Sequence, residues 1–146
     1  MENIIIKKVL IIGSGVMGSR IACYLSDVGL SVFLLDIIST DKNRNSIVNS
    51  NLNKTIKSRP EPLLDKSNVH NIITGNIIDD INKIKDCDWI IANDVSKNDI
   101  GFDSDFNEVS IFCKDKNVDD EIITKTYKSV VADEIVKRVI NQLNLI

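Results

Sequence analysis

Histidine and tryptophan each occur once, and proline twice, in this chain of 146 residues. A single histidine, His70, excludes any site built on paired imidazoles. His70 reads as a surface or packing residue rather than a catalytic one. The three cysteines (Cys23, Cys87 and Cys113) are too far apart for a metal-ligand spacing and too few for a disulfide framework. They suit a reducing, cytoplasmic setting, with Cys23 and Cys87 as buried thiols. No apolar run approaches the roughly 18 residues of a membrane span, and Lys7 and Lys8 interrupt the apolar start, so neither a span nor a signal peptide is expected. Neither sign of charge dominates: 18 basic against 21 acidic residues leave a net charge of −3. That balance gives no electrostatic case for nucleic acid or an anionic membrane as partner. What is present is 43% hydrophobic residues, enough for the core of one domain.

The rest of the chain is organised around residues 7–36, KKVLIIGSGVMGSRIACYLSDVGLSVFLLD. Residues 9–12 are a short aliphatic run, the pattern of a strand buried on both faces. Gly13, Gly15 and Gly18 follow at the G-x-G-x-x-G spacing and lead into a helical stripe of Ile21, Ala22, Leu25 and Val28. Gly29 stands where a helix would end, residues 31–35 read as a second strand, and Asp36 closes it. Alone, the glycines would be turn punctuation and Asp36 an end cap. With strand, helix, second strand and terminal carboxylate all in place, the segment reads as a dinucleotide-binding fingerprint. Gly13 makes the tight turn, Gly15 admits a pyrophosphate, and Gly18 lets helix and strand approach closely. The helix start carries Ser14, Val16 and Met17 among its candidate phosphate-facing residues. Asp36, with Ile37 beside it, would accept the ribose hydroxyls of NAD and repel the extra phosphate of NADP.

Further on, residues 43–57 carry a thin apolar stripe (Ile47, Val48, Leu52, Ile56) and predict an amphipathic helix, ended by Arg59-Pro60-Glu61-Pro62. Residues 69–74 read as a third strand, 79–85 as a short helix and 88–92 as a fourth strand. Such alternation predicts a parallel sheet with right-handed crossovers. Residues 101–105 read as a loop, and 108–114 with 121–124 as an antiparallel pair. A last helix, capped by Thr126 or Ser129, would run to about Leu143 with a wide apolar face.

Residues from about 6 to 91 resemble the NAD-binding domain of the 3-hydroxyacyl-CoA dehydrogenases of fatty-acid β-oxidation. The resemblance rests on VLIIGSGVMGSRIA, on LLDI at 34–37, on RPEP at 59–62 and on ITGNIIDDINKIKDCDWII at 73–91. It implies NAD as cofactor. Arg20 departs from the small or neutral residue usual in that family and reads as an exposed side chain. Beyond Ile91 the resemblance stops. The family's Ser-Asn-Thr-Ser run and the histidine of its His–Glu pair are absent, so no catalytic residue is assigned.

Residues 88–117, DWIIANDVSKNDIGFDSDFNEVSIFCKDKN, instead resemble the C-terminal part of phosphopantothenate–cysteine ligase, an enzyme of coenzyme A biosynthesis. The matching pieces are IAND at 91–94, GFDSDFNEV at 101–109 and VADEIV at 131–136. That resemblance makes Lys85 a candidate nucleotide ligand, matching the second lysine of the family's K-L-x-x-K segment. The first position holds Ile81, and the upstream CTP-binding residues are missing.

The expected fold is therefore α/β: a Rossmann-like, mainly parallel sheet in three layers, with residues 9–12 central, a short antiparallel addition and a C-terminal helix. The expected division is a partial NAD-binding domain at 1–91 and a ligase-like segment at 92–146, joined through the strand that both families share by a gene fusion or in a degraded reading frame. Packing on the same sheet is expected, but the residues alone do not settle it. The expected function is that of a truncated dehydrogenase NAD-binding domain, without a metal and without turnover. The alternatives are a ligase fragment and a non-catalytic interaction module. Oligomeric state is not legible in the residues.

Overall fold

The structure, a computed structural model, describes residues 6–93, 105–115 and 119–142. The loop read at 101–105 lies, Asp105 apart, outside them. The first strand, β1 (Lys8–Ile12), is flanked by β2 (Ser31–Asp36) and β4 (Trp89–Asn93), and β3 (Ile72–Asn76) lies beyond β2. All these pairings are parallel. β5 (Phe106–Cys113) and β6 (Glu121–Tyr127) continue the same sheet as antiparallel strands, giving the order β3-β2-β1-β4-β5-β6. The mainly parallel α/β sheet with β1 inside it, and the antiparallel addition from the later residues, are as the sequence predicts.

Register divides the sheet into two faces. Val9 stands opposite Val32 and Trp89, and Ile11 opposite Leu34 and Ile91, so these side chains share one face. That face takes the three α-helices of the described residues: α1 (Val16–Asp27), α2 (Ser46–Ile56) and α3 (Lys128–Gln142). The main core packs Ile21, Ala22 and Leu25 of α1, Val48 and Leu52 of α2, and Val131 and Ile135 of α3 on those strands. At about 1.5–3 kcal/mol for each large aliphatic side chain buried, this face holds the molecule together. The opposite face has a thinner cover. Leu10, Leu35 and Cys87 pack there with Phe33 and Ile90, and Ile84 of the 3-10 turn Ile81–Asp86 packs against them. The Lys83 ammonium stands 5.1 Å from the centre of the Phe33 ring. On the same face Phe112 of β5 and Ile122 of β6 stay exposed.

Several boundaries differ from the sequence expectation for local reasons. α2 starts at Ser46 rather than residue 43, because Asn43 forms a turn: its carbonyl accepts from the Ser46 N–H at 3.0 Å and its side chain from the Asn45 N–H at 3.0 Å. β3 starts at Ile72 rather than residue 69. Asp65 accepts from the Ser67 N–H at 2.8 Å and starts the 3-10 turn Lys66–Asn71, which draws Val69 and His70 out of the strand. The helix expected at 79–85 is that 3-10 turn at Ile81–Asp86. α3 follows β6 directly, so Thr126 lies in the strand and Ser129 inside the first helical turn, and neither holds the cap position. α1 closes as read, in a Schellman arrangement: Gly29 N–H donates to the Ser26 carbonyl at 3.0 Å and Leu30 N–H to the Leu25 carbonyl at 3.1 Å.

Candidate functional site

The parallel strands end at one edge of the sheet, and the glycine loop crosses that edge between β1 and α1. Gly13 turns with φ of +101°, a conformation that a side chain disfavours, while its N–H donates to the Leu35 carbonyl at 2.8 Å. A Cβ on Gly18 would lie 1.8 Å from the Gly13 carbonyl oxygen. Only hydrogen fits there, so α1 can approach the loop closely. Gly15 occupies the N-cap position without a side-chain cap, and the first turn carries no acidic residue. The leading N–H groups of α1 thus face the edge with the partial positive charge of the helix start.

Asp36 closes β2 beside this loop. Its Oδ2 accepts from the Ser14 N–H at 2.6 Å and from the Ser14 hydroxyl, and its Oδ1 accepts from the Ile37 N–H at 2.7 Å. Asn51 of α2 donates from Nδ2 to Ser14 Oγ at 3.1 Å. The loop is tied further by Ser19, whose hydroxyl donates to the Ser14 carbonyl at 2.6 Å. Val16 and Ile37 are exposed and Met17 is buried. Gly13, Ser14, Gly15, Val16, Met17, Gly18, Asp36 and Ile37 therefore stand together at one edge.

The flank of this edge is polar. Asn76, buried at the end of β3, donates from Nδ2 to Asn45 Oδ1 at 2.7 Å and to Asp79 Oδ2 at 2.9 Å. Arg44 forms a two-pronged pair with Asp79 at 2.7 and 2.8 Å, and the guanidinium's hydrogen bonds hold the Asp79 carboxyl below its ordinary range. On the β4 side, a Cβ on Gly13 would be 3.6 Å from Asn93 Cβ. Asn107, at the start of β5, is fully buried and donates from Nδ2 to Met17 Sδ at 2.8 Å. The side-chain oxygens of Asn93 and Asn107 are buried without a hydrogen-bond partner among the described residues. A groove of about 510 Å³ between α1 and α3 adjoins this region, walled by Val16, Met17, Ile21 and Ile135 with Arg20 and Lys128 on its lining.

Lys85 is elsewhere. It sits in the turn preceding β4, at the opposite edge of the sheet from the glycine loop, and its carbonyl accepts from Lys114 Nζ at 3.3 Å. His70 likewise precedes β3, with Nδ1 against the Ser67 carbonyl. Arg20 is not the free exposed side chain expected of it. It is half-buried and donates to Ser58 Oγ at 3.0 Å, tying α1 to the turn after α2. Cys23 and Cys87 are buried, and burial pushes both thiols above their ordinary range, Cys23 to about 11. Ser14 was legible as a loop residue. Asn93 and Asn107 were legible only as members of the IAND and GFDSDFNEV pieces, and Asn51 not at all, because a single asparagine in a chain rich in them carries no spacing signal.

The chain is similar to two sets of proteins. A probable 3-hydroxyacyl-CoA dehydrogenase of Deinococcus radiodurans is 39% identical over 99 residues, covering 67% of this chain and 29% of the relative. One from Bacillus subtilis is 40% identical, covering 59% of this chain and 13% of the relative. The chain thus spans less than a third of the length of these curated relatives. The crystal structure of the C-terminal domain of the coenzyme A biosynthesis bifunctional protein CoaBC aligns with 97% of this chain and 99% of its own, at 18% identity and a TM-score of 0.40. The family model described as the DNA/pantothenate metabolism flavoprotein C-terminal domain matches residues 65–143, from the turn before β3 through α3. The chain, more than half of which that match takes in, belongs to the DNA/pantothenate metabolism flavoprotein C-terminal domain family.

Proposed function

We propose that the chain binds NAD at the edge formed by the glycine loop and Asp36, and that it does so without oxidising a 3-hydroxyacyl-CoA. The observation that carries this reading is the approach of Gly18 to Gly13. It sets an uncapped helix start directly beneath the loop, with a carboxylate at the end of the neighbouring strand. The pyrophosphate would lie on the leading N–H groups of α1 and the adenosine ribose against Asp36. The nicotinamide would reach toward Asn93 and Asn107. The names of the dehydrogenase relatives support NAD, and the glycine loop and Asp36 lie in the part of the chain that resembles them. The histidine of the dehydrogenase family's His–Glu pair has no counterpart in this sequence, which supports binding without turnover. The division into an NAD-binding part at 1–91 and a ligase-like part at 92–146 belongs to the same reading, as does a cytoplasmic setting.

Calorimetric titration with NAD and NADP tests it. The wild type should bind NAD weakly and prefer it to NADP. Asp36→Ala, checked for folding by circular dichroism, should lose roughly ten- to a hundredfold in NAD affinity, the worth of hydrogen bonds to a charged group. Equal affinity for the two cofactors would sink the preference. NADH formation from 3-hydroxyacyl-CoA that a point mutation in this chain abolishes would sink the claim of no turnover.

A second reading, a fragment that works in phosphopantothenate–cysteine ligation, is favoured by the family match over residues 65–143. Lys85, its candidate ligand, stands at the other edge of the sheet, so the two readings place nucleotide at opposite ends of the molecule.

A further inference from the structure

Asp36 reaches the site with most of its acceptor capacity already used. An ionised carboxylate offers about four lone-pair sites. On Oδ2 two are filled, by the N–H and the hydroxyl of Ser14, and on Oδ1 one is filled, by the Ile37 N–H. One site remains, on Oδ1. Ser14 is poorly placed to swing away and release Oδ2. Its side chain is fully buried, its carbonyl is held by the Ser19 hydroxyl at 2.6 Å, and Asn51 Nδ2 donates to its Oγ at 3.1 Å. Because Asn51 supplies a proton to that oxygen, the hydroxyl's own proton is directed onto Asp36. Asn51 is in turn carried on α2, which Val48 and Leu52 anchor in the core.

We propose that Ser14, held in place by Asn51, is a positioning residue that occupies Asp36 Oδ2, so that Asp36 takes one hydroxyl of the adenosine ribose, through Oδ1, rather than both. This rests on the NAD-binding reading above and adds to it which part of the ligand the site can distinguish. A site of this kind tolerates loss of one ribose hydroxyl and not of the other.

Calorimetric titration of the full chain with NAD and with its analogues lacking the 2′- or the 3′-hydroxyl of the adenosine ribose separates the two levels. In the wild type one analogue should bind about tenfold or more weakly than NAD and the other within about twofold. Ser14→Ala frees one of the two acceptor sites on Oδ2, the backbone N–H keeping the other, and should make the variant sensitive to both deletions, a change that a merely structural role would not produce. Matching losses for both analogues in the wild type, or no loss for either, would overturn this inference and leave NAD binding standing. No NAD binding by a chain shown to be folded would overturn both. Were Ser14→Ala to unfold, the wild-type comparison with the two analogues decides by itself.

Discussion

At the scale of single residues, Gly13 and Gly18 do different work and should fail differently. Gly18 has no room: a Cβ would meet the Gly13 carbonyl at 1.8 Å, and the obstacle is backbone. Gly13 has room, with Asn93 Cβ at 3.6 Å, but it holds φ of +101°. Gly13→Ala should therefore cost about 1–3 kcal/mol of backbone strain. Gly18→Ala should cost at least as much again, because α1 must lift off the loop and part of the main core with it. Urea denaturation of the two variants checks the order, and a smaller loss for Gly18→Ala would contradict the close approach. The glycines and Asp36 were legible because their roles depend on spacing along the chain. The Ser14–Asn51 tie was not, since it joins residues 37 positions apart across two elements.

Among the elements, α1 carries a pH-dependent contribution to stability through Cys23. The thiol is fully buried, and burial, followed by the neighbouring Asp27 carboxylate, pushes it from 9.0 to about 11. The folded state thus keeps a proton that the unfolded chain releases. Stability from this group is complete below about pH 9 and declines as pH rises toward 11, by an amount on the order of 2 kcal/mol. Chemical denaturation between pH 8 and 11 should show the decline, and Cys23→Ala should flatten it apart from the smaller share of Cys87, which shifts the same way. A slope unchanged in Cys23→Ala would contradict this. The strands themselves, their parallel or antiparallel type and the inner place of β1 with β2 beside it were legible from apolar runs and turns. The starts of α2 and β3 were not, because the side chains of Asn43 and Asp65 bind neighbouring backbone N–H groups and take residues out of the expected element.

For the whole molecule, the later residues complete the core begun by the earlier ones. Trp89 is buried on β4, and Val109, Ile111, Val131 and Ile135 share its cluster with the side chains of α1. The Arg138 guanidinium of α3 stands 5.8 Å from the Trp89 ring. Resemblance to two families does not by itself say whether two pieces fold apart or together; here β5 pairs with β4 and makes one sheet. Trp89 fluorescence and far-ultraviolet circular dichroism should accordingly follow one urea transition with a common midpoint. Two separated transitions would mean that the halves unfold independently.

The claim that NAD binds at the glycine-loop edge is tested most directly by recording ¹H–¹⁵N spectra of the labelled chain during titration with NAD. The largest shifts are expected at the amides of Gly13, Ser14, Gly15, Val16, Met17, Gly18, Asp36 and Ile37, with Lys85 and its neighbours at the opposite edge unmoved. Shifts centred on Lys85, or a spectrum of a folded chain that NAD leaves unchanged, would contradict it.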